Sequence, residues 1–195
     1  MGKIRVVITD YIENDLKWEE VQFQRLGVDF AYAQLKVASA EQIIEFAADA
    51  EIVIVNMAKI GTEVINGLRR CRLIIRHGVG YDNVDIAAAS KRQIAVGYMP
   101  DYCVNEVAEQ AVMLIMACQR KLLIQHRILH DSAKKGEWDF APVYPVHSLH
   151  GKTVGIVGLG RIGGMVYRML QGFGVQFLVC DPYLSEARRQ EYEIE

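Results

Sequence analysis

Apolar and polar positions alternate in short blocks through the first hundred residues. Apolar runs at Ile4–Thr9, Val28–Leu35, Glu51–Asn56, Leu73–Arg76 and Ala95–Tyr98 predict strands. Between them, Asp15–Leu26, Ala40–Ala50, Thr62–Arg70 and Val84–Lys91 place apolar residues at helical spacing. Gly61 breaks the chain just before Thr62, whose hydroxyl is suited to cap the helix that follows. This regular alternation predicts a parallel sheet covered on both faces, with right-handed crossovers, and Pro100 closes the unit. From Val104 to about His130 a single long amphipathic helix is expected, with Val104, Val107, Ala108, Ala111, Leu114, Ile115 and Cys118 along one side. Asn105 reads as its N-cap, which sets Glu106 and Glu109 near the positive helix end. Residues 131–150 turn polar, then aromatic and proline-bearing, so a loop or arm is expected there. Trp138 and Phe140 in that arm are costly to expose unless something covers them.

The last segment changes the chemistry. Thr153-Val-Gly-Ile-Val-Gly-Leu-Gly-Arg-Ile-Gly163 reads as strand, tight turn and helix start, and Asp181 follows Gly163 by 18 residues. Gly158, Gly160 and Gly163 suit a sharp turn, close approach of backbone N–H groups to a pyrophosphate, and tight helix–strand packing. Ile162, Met165, Val166, Met169 and Leu170 then share a helical face, Gly172 and Gly174 stop the helix, and the strand Val175–Val179 runs into the acid. A carboxylate at the end of that strand is suited to accept hydrogen bonds from an adenosine ribose, which favours NAD over the 2′-phosphorylated form. The plain alternative is a βαβ unit whose glycines serve packing alone. Only two strands fall within 151–195, so a strand edge and an apolar face would be uncovered; a longer natural chain, or strands lent by a partner, is expected.

Composition narrows the class. The chain has 195 residues, 51% of them hydrophobic, enough to bury a sizeable core in one large or two small domains. A formal net charge of −2 argues against direct nucleic-acid binding, and Lys134-Lys135 is too small a basic cluster to alter that. The apolar run Ala111–Cys118 is too short to cross a bilayer, so no membrane association is expected. Cysteines 71, 103, 118 and 180 lack C-x-x-C spacing and read as free thiols of a cytoplasmic protein.

A second constellation, Arg76-His-Gly-Val-Gly-Tyr-Asp-Asn-Val-Asp85, follows the fourth strand. Gly78, Val79 and Gly80 form a turn at the carboxyl end of a parallel strand, where open α/β sheets bind ligands, and backbone N–H groups there can grip a substrate carboxylate. An ordinary glycine turn, with Asp82 and Asn83 bonding their own backbone, fits the same residues. His77 beside the turn reads more simply as packed or solvated than as catalytic, and His126, His130, His147 and His150 have no metal-ligand partner set. Asp10 at the end of the first strand stands where a phospho-acceptor would, but acids for Mg²⁺ are lacking beside it.

Taken in order, Arg76–Asp85, Asn105-Glu-Val-Ala-Glu109, Gly136-Glu-Trp138, Leu149–Gly163 and Asp181-Pro-Tyr183 give a chain that resembles the D-isomer-specific 2-hydroxyacid dehydrogenases, the family of phosphoglycerate dehydrogenases and C-terminal-binding-protein corepressors. The resemblance implies an α/β protein: a flavodoxin-like substrate-binding domain over 1–100, then an incomplete Rossmann NAD-binding domain over 101–195, with the long helix at 104–130, the arm at 131–150 and the βαβ unit at 151–181. It implies that Gly78, Val79 and Gly80 hold the carboxylate of a small 2-hydroxy or 2-keto acid. Val79 and Val107 would line the nicotinamide, and Gly158, Gly160, Arg161, Ile162, Gly163 and Asp181 would hold the rest of NAD. It further implies a homodimer through the long helix and the arm. The family's catalytic arginine and its glutamate–histidine pair match no residue here, so no catalytic residue is assigned and these 195 residues alone are expected to be inactive. Two rival readings share every motif: an NAD-responsive corepressor-like binding module, for which Leu184-Ser185 is a cue, and an inactive truncated product.

Overall fold

Five strands build the first sheet: β1 (Arg5–Ile8), β2 (Asp29–Tyr32), β3 (Ile52–Val55), β4 (Leu73–Arg76) and β5 (Ala95–Tyr98). All pair in parallel, in the order β2-β1-β3-β4-β5. This is the flavodoxin-like order, in which the strand direction of winding reverses between β1 and β3. The computed structural model describes residues 2–194, and the backbone falls into two units, one ending at Tyr102 and the next starting at Cys103.

Alternation along the strands sorts the side chains. Val7, Val53, Val55 and Ile74 turn to one face and are sealed there by Ile43 and Ala47 of α2 (Ala40–Ala47), Val64 and Ile65 of α3 (Thr62–Gly67), and Ala88 and Ala89 of α4 (Ile86–Lys91). Each fully buried Val or Ile in this layer is worth about 2 kcal/mol relative to exposure. The opposite face is served by α1 (Lys17–Arg25), which buries no residue completely. Ile54 and Ile75 stay half-buried there and line a cavity of about 350 Å³ with Leu16, Phe23 and His77.

Element bounds follow from partners rather than from apolar run length. β2 is shorter than the run Val28–Leu35 because β1 offers it four positions, Arg5↔Asp29 to Ile8↔Tyr32. α4 starts at Ile86 rather than Val84, since Asp85 caps it by accepting the Ala88 N–H at 2.9 Å. Thr62 is the first residue of α3 and provides no cap; its hydroxyl donates to Asp85 instead.

In the second unit the expected helix 104–130 is two helices, α5 (Val104–Gln119) and α6 (Leu122–Ala133). Lys121 breaks them with a left-handed φ of 52°. Around the break, Gln119 Nε2 and Lys121 Nζ donate to the carbonyls of Ser148 and Val143, tying the joint to the arm. Apolar spacing continues through the break, which is why periodicity alone runs across it. The α5 N-cap is Cys103, not Asn105, and it makes no side-chain capping bond. α5 packs on α7 (Arg161–Gln171) through Ala108, Val166 and Leu170, with Ala111, Ile115 and Ile162 at the margin. β6 (Thr153–Val157) and β7 (Gln176–Cys180) pair in parallel either side of α7, in register from Thr153↔Gln176 to Val157↔Cys180. A short helix absent from the sequence reading, α8 (Glu186–Glu191), follows β7. No helix among the described residues is long and apolar enough to cross a membrane.

Candidate functional site: the glycine turn and its acid

The turn after β6 is set by close approach. Gly158 adopts φ +88° and its N–H continues the ladder to Cys180 O at 2.8 Å. A Cβ at Gly163 would sit 2.1 Å from Gly158 O, so only glycine lets α7 meet the turn. At Gly160 an added Cβ would meet nothing within 4 Å, so the loop is open on that side. Leu159 anchors the turn from beneath, its side chain 1% exposed against Ile156, Tyr167 and Tyr192.

Gly160 is the N-cap of α7 and offers no side chain to the helix end. The N–H groups of Gly160, Arg161, Ile162 and Gly163 therefore meet no acceptor among the described residues. Unpaired first-turn amides plus the positive end of the helix dipole make an anion site. Arg161 is exposed and Ile162 half-buried.

Asp181 directly follows β7. Its Oδ2 accepts the Leu159 N–H at 2.7 Å and its Oδ1 accepts the Tyr183 N–H at 2.9 Å. Those bonds, the Leu159 one foremost, hold its carboxyl below the usual carboxylate range, with the charge of Arg188 adding to the effect. Each oxygen keeps a further lone pair for a hydroxyl donor. The acid thus braces the glycine turn and remains able to receive a diol. Val107, on α5, is 42% exposed and stands next to the fully buried Ala108.

In the first unit, Gly78, Val79 and Gly80 differ from one another. Gly78 has spent its backbone groups, its N–H on Arg76 O at 2.9 Å and its carbonyl on the Met99 N–H at 3.0 Å. The Val79 and Gly80 N–H groups meet no acceptor among the described residues. Asn83 does not bond its own backbone; its Nδ2 donates to Ala58 O at 2.9 Å and Asn56 O at 3.3 Å, binding this loop to the one after β3. His77 is exposed, with Nδ1 3.9 Å from Glu13 Oε1.

Three residues have work here that the sequence did not assign to them. Asp10, 2% exposed, accepts the N–H groups of Asn56, Met57 and Ala58, at 3.2, 2.6 and 3.1 Å, so its carboxylate holds a loop rather than a phosphoryl group. Arg76 folds back over the turn, its Nη1 on His77 O at 2.5 Å. Arg188 donates to the carbonyls of Leu159 and Gly160. An acid at a strand end was visible for Asp10; nothing local marked the two arginines.

The profile of the D-isomer specific 2-hydroxyacid dehydrogenase catalytic domain matches residues 6–192. The chain belongs to this family. It is similar to the D-3-phosphoglycerate dehydrogenase of Methanocaldococcus jannaschii, 33% identical over 98% of this chain and 35% of that protein. The glyoxylate reductase of Thermococcus gammatolerans is 36% identical over 80% of this chain and 46% of its own length. Among solved structures, an NAD-dependent formate dehydrogenase from Staphylococcus aureus in complex with NAD has a TM-score of 0.76 and 27% identity, over 92% of this chain and 56% of that one. The chain spans about a third to about a half of the length of these curated relatives.

Proposed function

We propose that this chain supplies the cofactor loop and the carboxylate-gripping turn of an NAD-dependent dehydrogenase acting on a small D-2-hydroxy acid. The observation that carries the reading is the row of unpaired amides from Gly160 to Gly163, beside a loop with open space at Gly160. A pyrophosphate suits that row, and the residues present fit a dinucleotide. Asp181 receives the adenosine ribose hydroxyls, and its negative charge disfavours a 2′-phosphate. Val79 and Gly80 present the free amides for a substrate carboxylate, and Val107 borders the nicotinamide, a role that rests on family resemblance. NAD, when bound, supplies hydride transfer between its nicotinamide and the 2-hydroxy or 2-keto carbon. The chain's own part is binding and orientation, which lowers the entropic cost of bringing the reactants together.

General acid–base work falls to residues outside these 195. His77 is solvated beside Glu13, and the family resemblance offers no residue of this chain as a match for the catalytic arginine or the glutamate–histidine pair. Leu184 and Ser185, the cue toward a corepressor-like module, have structural work to do: Leu184 packs by Ile156 and Tyr192, and Ser185 caps α8. They do not favour that reading. Four free cysteines suit a reducing cytoplasm. The test is NADH oxidation against a panel of 2-keto acids, by these 195 residues and by the protein as its gene encodes it. Turnover by the 195 residues contradicts the assignment of the chemistry elsewhere. No turnover by the gene product contradicts the enzyme.

A further inference from the structure

We infer that Arg188 is a positioning residue for the dinucleotide loop, fixing from behind the amides that face the pyrophosphate; the inference rests on the cofactor reading above. Arg188 lies on α8, beyond the second strand of the βαβ unit, where Ser185 caps the helix by accepting the Arg188 N–H. Its guanidinium reaches back across the turn. Nε and Nη2 donate to Leu159 O at 3.2 and 3.0 Å, and Nη2 also donates to Gly160 O at 3.1 Å. The side chain is held in that pose by the Tyr192 ring, 5.1 Å from its Cζ, and Tyr192 is itself 5% exposed against Leu159. Nη1 lies 3.7 Å from Glu191 Oε2.

The consequence follows from peptide geometry. A trans peptide is rigid and planar, with the carbonyl of one residue opposed to the N–H of the next. Turning Leu159 O toward the guanidinium therefore turns the Gly160 N–H away from it, and turning Gly160 O does the same for the Arg161 N–H. Those are the first two of the unpaired amides at the head of α7. Meanwhile Asp181 takes the Leu159 N–H at 2.7 Å. Opposite charges thus grip the two ends of one residue in a loop that Gly158 and Gly160 would otherwise leave supple. Donors fixed before the ligand arrives bind more tightly than donors that must be ordered on binding. A cation behind the carbonyls also polarises the peptides, strengthening their N–H groups as donors.

The role predicts a split between ligands that carry a pyrophosphate and one that does not. NADH and adenosine are titrated against the wild-type gene product, Arg188→Gln and Arg188→Lys, with thermal midpoints recorded alongside. Arg188→Gln is expected to weaken NADH about tenfold, the loss of one charge-assisted hydrogen bond or its equivalent, with adenosine affinity unchanged. Arg188→Lys, which keeps the charge but loses the fork, falls between; if the Gln variant does not fold, it carries the comparison. Equal weakening of both ligands makes Arg188 a general support of the fold and overturns the inference, as does NADH affinity equal to wild type. A wild type that takes up no NADH overturns the cofactor reading and this inference together.

Discussion

Gly160 and Gly163 stand three residues apart in one motif, yet the structure gives them separate tasks. Gly163 is required by the protein itself, because a methyl there would overlap Gly158 O. Gly160 faces open space and is required only if something must come close. Gly163→Ala is therefore expected to cost about 2 kcal/mol or more of stability, read as a lower thermal midpoint. Gly160→Ala should leave the midpoint within a degree or two while weakening NADH binding severalfold; unchanged NADH binding would make the open side irrelevant to the ligand. Asp181 gives a pH signature. Its pKa is depressed in the folded loop by the N–H groups of Leu159 and Tyr183. Its support of the loop is therefore fully present above the unfolded value of about 3.9 and is lost only as pH falls through the lower folded value. ADP-ribose affinity is expected to stay flat from pH 8 to about pH 5, and a titration midpoint within that window would show that the acid is not held ionised. The glycines and Asp181 were legible because the motif is local. The tasks of Asp10 and Arg188 were not, because each acts on backbone 46 and 28 positions away at its nearest.

Helix ends show where local pattern stops informing. α4 ends in a Schellman motif, with the Gln93 N–H on Ser90 O and the Ile94 N–H on Ala89 O. Gln93 takes the left-handed position there at φ 55°, a conformation a side chain adopts at a cost. Gln93→Gly is expected to stabilise the first unit by about 0.5–1 kcal/mol, seen as a higher denaturation midpoint, since relief of strain outweighs the added chain entropy. A drop in midpoint would show that the strain is not there. α4 and β5 were readable from apolar spacing, and β4 and β5 begin and end where their runs do. α8 was not, since it buries no side chain and Glu-Ala-Arg-Arg-Gln-Glu carries no apolar stripe. Its evidence is long-range, in what Arg188 touches. The break at Lys121 was equally silent, being a single backbone torsion inside an uninterrupted apolar rhythm.

At the scale of the molecule, two units each follow their own logic: a five-stranded parallel sheet, and a two-stranded βαβ unit buttressed by α5. Strand–helix alternation made the first readable, and the glycine motif the second. The second unit exposes much apolar surface on α5, α6 and the arm, including Leu114 at 50%, Leu123 at 77% and Trp138 at 76%. We propose that a second copy covers it, as isologous contact between identical helices allows. Light scattering of the gene product is expected to give twice the protomer mass, and a strict monomer at high concentration would count against the dimer. We propose that the amides heading α7, with Asp181 beyond, hold NAD. Calorimetric titration of the gene product with NADH and with NADPH decides this. Saturable one-to-one NADH binding, much weaker NADPH binding, and loss of that preference in Asp181→Ser are the expected results. Equal affinity for the two cofactors in the wild type, or no binding of either, would contradict it.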